Sequence, residues 1–212
     1  MINRSELPNR KSWSEFLSQS EDKKVCAKIK GIIEIEAVGA TVEYCKADVA
    51  NKEEMSAVLT SLREKYGKIN GIIHAAGIAG SGYMLRKDIQ DFERVISPKI
   101  TGAWLLDRLT DQDNLDFFVL FSSGVSIIGE AGQGDYVAAN SYLDSFCEYR
   151  SLKGKKTQTI NWVAWQNAGM AVEYGINTDS IFKAIPTDVG VRAFEEILNH
   201  DVSRLLVGQL NY

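Results

Sequence analysis

Histidine and cysteine are scarce in this sequence, at two and three among 212 residues. His74 and His200 stand far apart, and Cys26, Cys45 and Cys147 form no Cys-x-x-Cys pair. Neither a metal site nor a disulfide framework is expected, and the thiols suit a reducing compartment. Long apolar runs are lacking too: none approaches the roughly 20 residues that span a bilayer. Met1-Ile2-Asn3-Arg4-Ser5-Glu6 carries no apolar signal region, so a cytoplasmic location is the expectation. There is no excess of positive charge. A net charge of -4 and a pI near 5.3 leave no basic footprint for nucleic acid or an anionic membrane. A small substrate or a protein partner fits this balance better.

What the sequence does have is the composition of a globular chain, 45% hydrophobic and 25% charged. Without repeats or low-complexity linkers, residues 1–212 read as a single domain. Helical and strand patterns alternate from residue 20 onward, which argues for an α/β fold with a largely parallel sheet flanked by helices. Val25, Ile29, Ile32, Ile33 and Ala37 recur at helical spacing and predict a helix over 22–38, closed by Gly39. A strand is expected over 41–47, a helix over 52–66 closed by Gly67, and a strand over 69–75. A long helix is expected over 87–109, with Pro98 as its kink or break. The unbroken apolar run 117–121, ending in Ser122-Ser123-Gly124, reads as a strand buried on both faces. A glycine-punctuated loop over 129–134 leads to a helix over 136–150 and a strand over 157–164. The irregular stretch 166–186 is a candidate lid, followed by a helix over 188–198 and a last strand over 203–209.

Open α/β sheets keep their sites at the carboxyl ends of the strands. Ser123 ends one such strand, Tyr136 stands at the start of the next helix, and Asn140 lies one turn beyond on the same face. Lys99 falls near the middle of the preceding long helix. Reduction of a ketone needs a hydride donor, a proton donor at the carbonyl oxygen and hydrogen bonds to the developing alkoxide. A tyrosine supplies the proton if a nearby ammonium lowers its pKa, and a serine supplies the second hydrogen bond. Sequence separation alone leaves open whether these side chains converge. Singly, Ser123 also suits a strand-end turn, Tyr136 a helix-start aromatic, Lys99 a solvated helix residue and Asn140 a polar face residue.

Three segments, Phe121-Ser122-Ser123, Gly132-Gln133-Gly134-Asp135-Tyr136-Val137-Ala138-Ala139-Asn140 and Ser97-Pro98-Lys99-Ile100-Thr101-Gly102, resemble the ketoreductase domains of modular polyketide synthases. These belong to the short-chain dehydrogenase/reductase superfamily. Ordinary members carry lysine four residues after the tyrosine, whereas the polyketide ketoreductases have asparagine there and take the lysine from the preceding helix. Asn140 and Lys99 follow the second arrangement. The resemblance implies Tyr136 as proton donor, Ser123 as carbonyl orienter, Lys99 as the electrostatic partner of the tyrosine and Asn140 as support. It further implies NADPH as cofactor. Ala75, Ala76 and Gly77 would lie by the nicotinamide ribose, Asp48 and Val49 by the adenine, Arg4 by the 2'-phosphate and Val163 in the post-strand loop that would close over nicotinamide and substrate. Taken alone, Asp48 also suits a helix cap and Arg4 a solvated arginine. The implied substrate is a 3-ketoacyl thioester on an acyl carrier protein, with other synthase domains as partners.

The sequence departs from the family in three places. No glycine-rich strand-turn-helix precedes Arg4, although such a turn holds pyrophosphate and its strand is central in the order 3-2-1-4-5-6. The expectation is a Rossmann-like sheet lacking its first strand, incomplete at the N-terminus: either a truncated product, or one half of a split domain that a partner chain or second copy completes. Ala79-Gly80-Ser81 stands where one stereochemical type carries Leu-Asp-Asp, and Ile128 where the other often has tryptophan. A non-catalytic ketoreductase-like fragment is the alternative reading.

Overall fold

The computed structural model describes residues 1–175 and 181–211. The chain begins with strand β1 (Ile2–Asn3) and helix α1 (Trp13–Gln19), which lies ahead of the periodic patterns in the sequence. Trp13 anchors α1: its indole N–H donates to the Pro8 carbonyl at 2.9 Å, and its ring packs with Ile29 and Ile32. Helix α2 (Lys23–Ala37), strand β2 (Cys45–Lys46) and helix α3 (Lys52–Tyr66) follow. The Asp22 carboxylate accepts from two backbone N–H groups of α2, and the Asn51 side chain accepts from the Glu54 N–H in α3. Both are N-caps that supply orphan donors with acceptors. Gly67 ends α3 at φ +87, a left-handed conformation that suits glycine. The strand expected over 41–47 narrows to β2, because β1 offers only two residues in register, Ile2 opposite Cys45 and Asn3 opposite Lys46.

Strand β3 (Gly71–His74), helix α4 (Ile89–Leu109) and strand β4 (Phe117–Ser123) come next. Helix α4 runs without interruption through the buried Pro98, where a kink or break is the sequence expectation. Short helix α5 (Val125–Ile128), helix α6 (Gly134–Ser151) and strand β5 (Gln158–Trp162) complete the central part. Then come α7 (Met170–Glu173), β6 (Phe182–Lys183), α8 (Thr187–Leu198), β7 (Arg204–Val207) and β8 (Gln209–Leu210). The expected last strand thus splits at Gly208: β7 pairs parallel with β5, and β8 turns to pair antiparallel with β6. The base of the expected lid is tied down, since Gln166 and Ile185 N–H groups donate to Ile185 and Ala164 carbonyls. Residues 176–180 of that stretch lie outside the described residues.

The main sheet is parallel in the order β3-β4-β5-β7, and β1-β2 forms a separate parallel pair. Helices flank the sheet, as the alternating pattern predicts. Strand β4 alternates between two cores: Phe118 and Leu120 face Leu143 and Phe146 of α6, while Val119 faces Ile160 and Ile197. Each such fully buried side chain contributes about 1.5–3 kcal/mol. Ile2 and Ala47 pack into the same cluster as Ile72, so the β1-β2 pair shares a core with the main sheet without sharing a ladder. Among the described residues no strand pairs the free edge of β3, where Ile73 is 49% exposed.

Every residue of β5 is buried, including Gln158, Thr159 and Asn161. Gln158 donates to the carbonyls of Ile197 and His200 at the end of α8. Asn161 and Thr159 donate to Asp144 on α6, which also meets Arg204 at 3.1 Å. Between α4 and α6, Asp107 pairs with Arg150, both buried, and Lys155 reaches the same carboxylate at 3.0 Å. No helix among the described residues is long and apolar enough to cross a membrane.

Candidate active site at the carboxyl edge of the sheet

The sequence-predicted residues fall along one edge, the carboxyl ends of successive strands. Arg4 follows β1, Asp48 and Val49 follow β2, Ala75 to Gly77 follow β3, Ser123 ends β4 and Val163 follows β5. In a doubly wound sheet this is the edge that receives ligands.

Ser123 stands opposite Trp162 in the β4-β5 ladder, and the Gly124 N–H donates to the Trp162 carbonyl at 2.9 Å as the chain leaves the sheet. Gly132, at φ +79, makes the left-handed turn that aims α6 back over this edge. Tyr136 in the first turn of α6 then comes close to Ser123 and Asn140, and both act on its phenol. Asn140, fully buried, also donates its amide to the Tyr136 carbonyl at 2.7 Å, while its Oδ1 has no protein partner. Three of the four residues expected to act together are therefore brought together.

Lys99 is 2% exposed and lies behind them, its Nζ donating to the Phe121 carbonyl at 2.7 Å. Burial lowers its pKa to about 8, with Asp144 opposing that shift. The sequence reading expects a tyrosine pulled down by this ammonium. Instead burial holds the Tyr136 phenol above its ordinary value, and Ser123 and Asn140 offset that only in part. The hydrogen bond that the ammonium makes goes to β4, with none to the phenol. His74, buried under the same helix, is pushed to about 3 by burial and then by Lys99, so its ring is neutral.

A nicotinamide dinucleotide can be tested against this edge. Ala75 and Ala76 are exposed and small, leaving their backbone open to a flat ring. Gly77 lies directly on Lys99: a Cβ there would stand 3.0 Å from its Cε. The Arg4 guanidinium, 54% exposed and 3.9 Å from Asp48, is placed to meet a phosphate. Asp48 also accepts the Ala50 N–H, as a turn before α3 requires. Val49 is committed to packing, since a Cβ at Gly102 would stand 2.9 Å from it, and Val163 is 8% exposed. Arg4 and the backbone at Ala75 and Ala76 are thus open to a ligand, while no glycine-rich strand-turn-helix for a pyrophosphate occurs among the described residues.

Sequence reasoning missed two neighbours of the tyrosine. Asp135, fully buried, accepts the Tyr136 N–H at 2.9 Å and pairs with Lys87, whose side chain is 5% exposed. The available signal was a lone acid beside the tyrosine in a motif otherwise uncharged.

Comparison with known proteins agrees with this geometry. A family model described as the KR domain matches residues 12–167. Polyketide synthase PksN of Bacillus subtilis strain 168 is 32% identical over 191 residues, 85% of this chain and 4% of that protein. The 6-methylsalicylic acid synthase of Aspergillus terreus is 32% identical over 214 residues, 98% of this chain and 12% of that protein. Among solved structures, a ketoreductase domain from the bacillaene assembly line superposes with TM-score 0.78 at 32% identity, covering 98% of this chain and 48% of that one. An N-terminal ketoreductase from the macrolactin assembly line gives 0.77 at 31%, covering 99% and 39%. The chain therefore spans a small fraction of these synthases and under half of these solved chains. With its α/β sheet, its Ser-Tyr-Asn grouping and these relatives, the chain belongs to the ketoreductase domain family of polyketide synthases, within the short-chain dehydrogenase/reductase superfamily.

Proposed function

We propose that residues 1–212 act as one ketoreductase domain, reducing a 3-ketoacyl thioester on an acyl carrier protein to its 3-hydroxyacyl form in polyketide biosynthesis. The observation that carries this reading is the grouping of Tyr136 with Ser123 and Asn140 at the carboxyl end of β4. NADPH, when bound, supplies the hydride. Tyr136, kept protonated by burial, donates its proton to the carbonyl oxygen, and Ser123 holds that oxygen with a second hydrogen bond. Asn140 ties down the turn that carries the phenol. Lys99 contributes positive charge behind the site, where it favours the anionic forms of tyrosine and alkoxide. Arg4, Asp48, Ala75, Ala76 and Gly77 would meet the cofactor, whereas Val49 and Val163 are held in packing beside it.

The test is NADPH oxidation by the purified chain with a 3-ketoacyl N-acetylcysteamine thioester, against Tyr136→Phe. Turnover that disappears in the variant supports the reading; equal turnover in both refutes it. A second reading, a non-catalytic fragment that packs against synthase domains, draws on the unpaired edge of β3. The edge of β3, unpaired among the described residues, would take a parallel strand from a partner chain or a second copy, which would bring a phosphate-binding turn with it. On that account NADPH binds the isolated chain weakly, and a micromolar dissociation constant argues against it.

A further inference from the structure

The loop over 80–87, between β3 and α4, meets the first turn of α6 at three points. At Gly80 a Cβ would stand 2.3 Å from Asp135 Oδ1, so the backbone itself rests on the carboxylate. At Gly134 a Cβ would stand 2.9 Å from Met84 Cγ. At the end of the loop Lys87 pairs with Asp135 Oδ2, the side chains 5% and 0% exposed. The other oxygen of that carboxylate accepts the Tyr136 N–H at 2.9 Å. A single buried carboxylate therefore joins both ends of the loop to the backbone of the tyrosine.

Stability does not call for a buried pair here, since replacing one with apolar side chains is often neutral or favourable. The loop has little else to hold it: Leu85 is 99% exposed and Tyr83 68%. The partial positive charge at the start of α6 adds to the attraction for Asp135 and fixes where the carboxylate sits.

We infer that the Lys87–Asp135 pair is a latch that holds the 80–87 loop against the Tyr136 turn and thereby positions the tyrosine. Both are positioning residues that act through Tyr136 and the loop. The inference rests on the ketoreductase reading above for its chemical part and on geometry alone for the latch.

The test uses the full 212-residue chain as wild type, Lys87→Met, Asp135→Asn and the double variant. Asparagine keeps an acceptor for the Tyr136 N–H and removes the charge. Amine labelling read by peptide mass spectrometry should leave Lys87 protected in the wild type, beside the 60% exposed Lys46, and expose it in Asp135→Asn. With the thioester substrate, each single variant should lose roughly tenfold to a hundredfold in kcat, more than it changes KM. The double variant should be no worse than the poorer single. Lys87 labelled as fast as Lys46 in the wild type overturns the latch. An unlatched loop with unchanged kcat overturns its positioning role. Absence of wild-type turnover refutes the ketoreductase reading for this chain, and the labelling then decides the latch by itself.

Discussion

Lys99→Met should remove a pH dependence of stability that the wild type carries between pH 7 and 9. Burial holds the ammonium at about 8 in the folded chain, against 10.5 when unfolded. Below pH 8 both states keep the proton, and the folded state bears the full cost of a buried charge, about 3 kcal/mol for this pKa gap. As pH rises from about 8 toward 10.5 the unfolded chain binds more protons than the folded one, so stability rises. Over pH 7 to 9 the gain is about 1 kcal/mol. Cys45 and Cys147 are both raised by burial and work the other way, losing stability as pH climbs above 9. They are common to both chains and cancel in the difference. The Nζ bond to the Phe121 carbonyl adds an offset, not a slope. Urea unfolding followed by tryptophan fluorescence at pH 7, 8 and 9 measures the effect. Parallel wild-type and Lys99→Met curves would refute the reasoning.

Two further predictions concern packing. Asp107→Asn leaves Arg150 charged and buried without its carboxylate, and should cost about 3–5 kcal/mol in chemical denaturation. Gly190→Ala places a Cβ 2.6 Å from the Trp165 ring and should cost about 1–3 kcal/mol, seen as a lowered melting temperature and a shifted tryptophan spectrum.

Local signals made some elements readable to the residue. Helix α3 carries an Asn51 cap, helical spacing and a left-handed Gly67, and it runs over the expected positions. Strand β4 advertises itself by continuous apolar residues because both its faces are covered. Helix α1 escaped notice since its anchor, Trp13 against Ile29 and Ile32, is tertiary rather than periodic. The split between β7 and β8 depends on β6, a partner distant in sequence. In the site, Ser123, Tyr136 and Asn140 were named through the family resemblance of their motifs, because sequence separation alone leaves open whether they converge. Lys87 and Asp135 were not, because 48 residues separate two charges that only the folded loop brings together. The direction of the tyrosine shift was misjudged for a related reason: desolvation is a property of the surroundings, which spacing does not report.

Strand β5 points its polar side chains to opposite sides, Gln158 to the end of α8 and Asn161 to Asp144 on α6. A slip of one residue would reverse every one of these directions, stranding an amide and a carboxylate in apolar surroundings. Such a strand has one viable alignment, and its neighbours inherit it. The hydrogen bond from Gly124 to the Trp162 carbonyl makes that alignment the ruler by which Ser123 is measured out to the edge of the sheet.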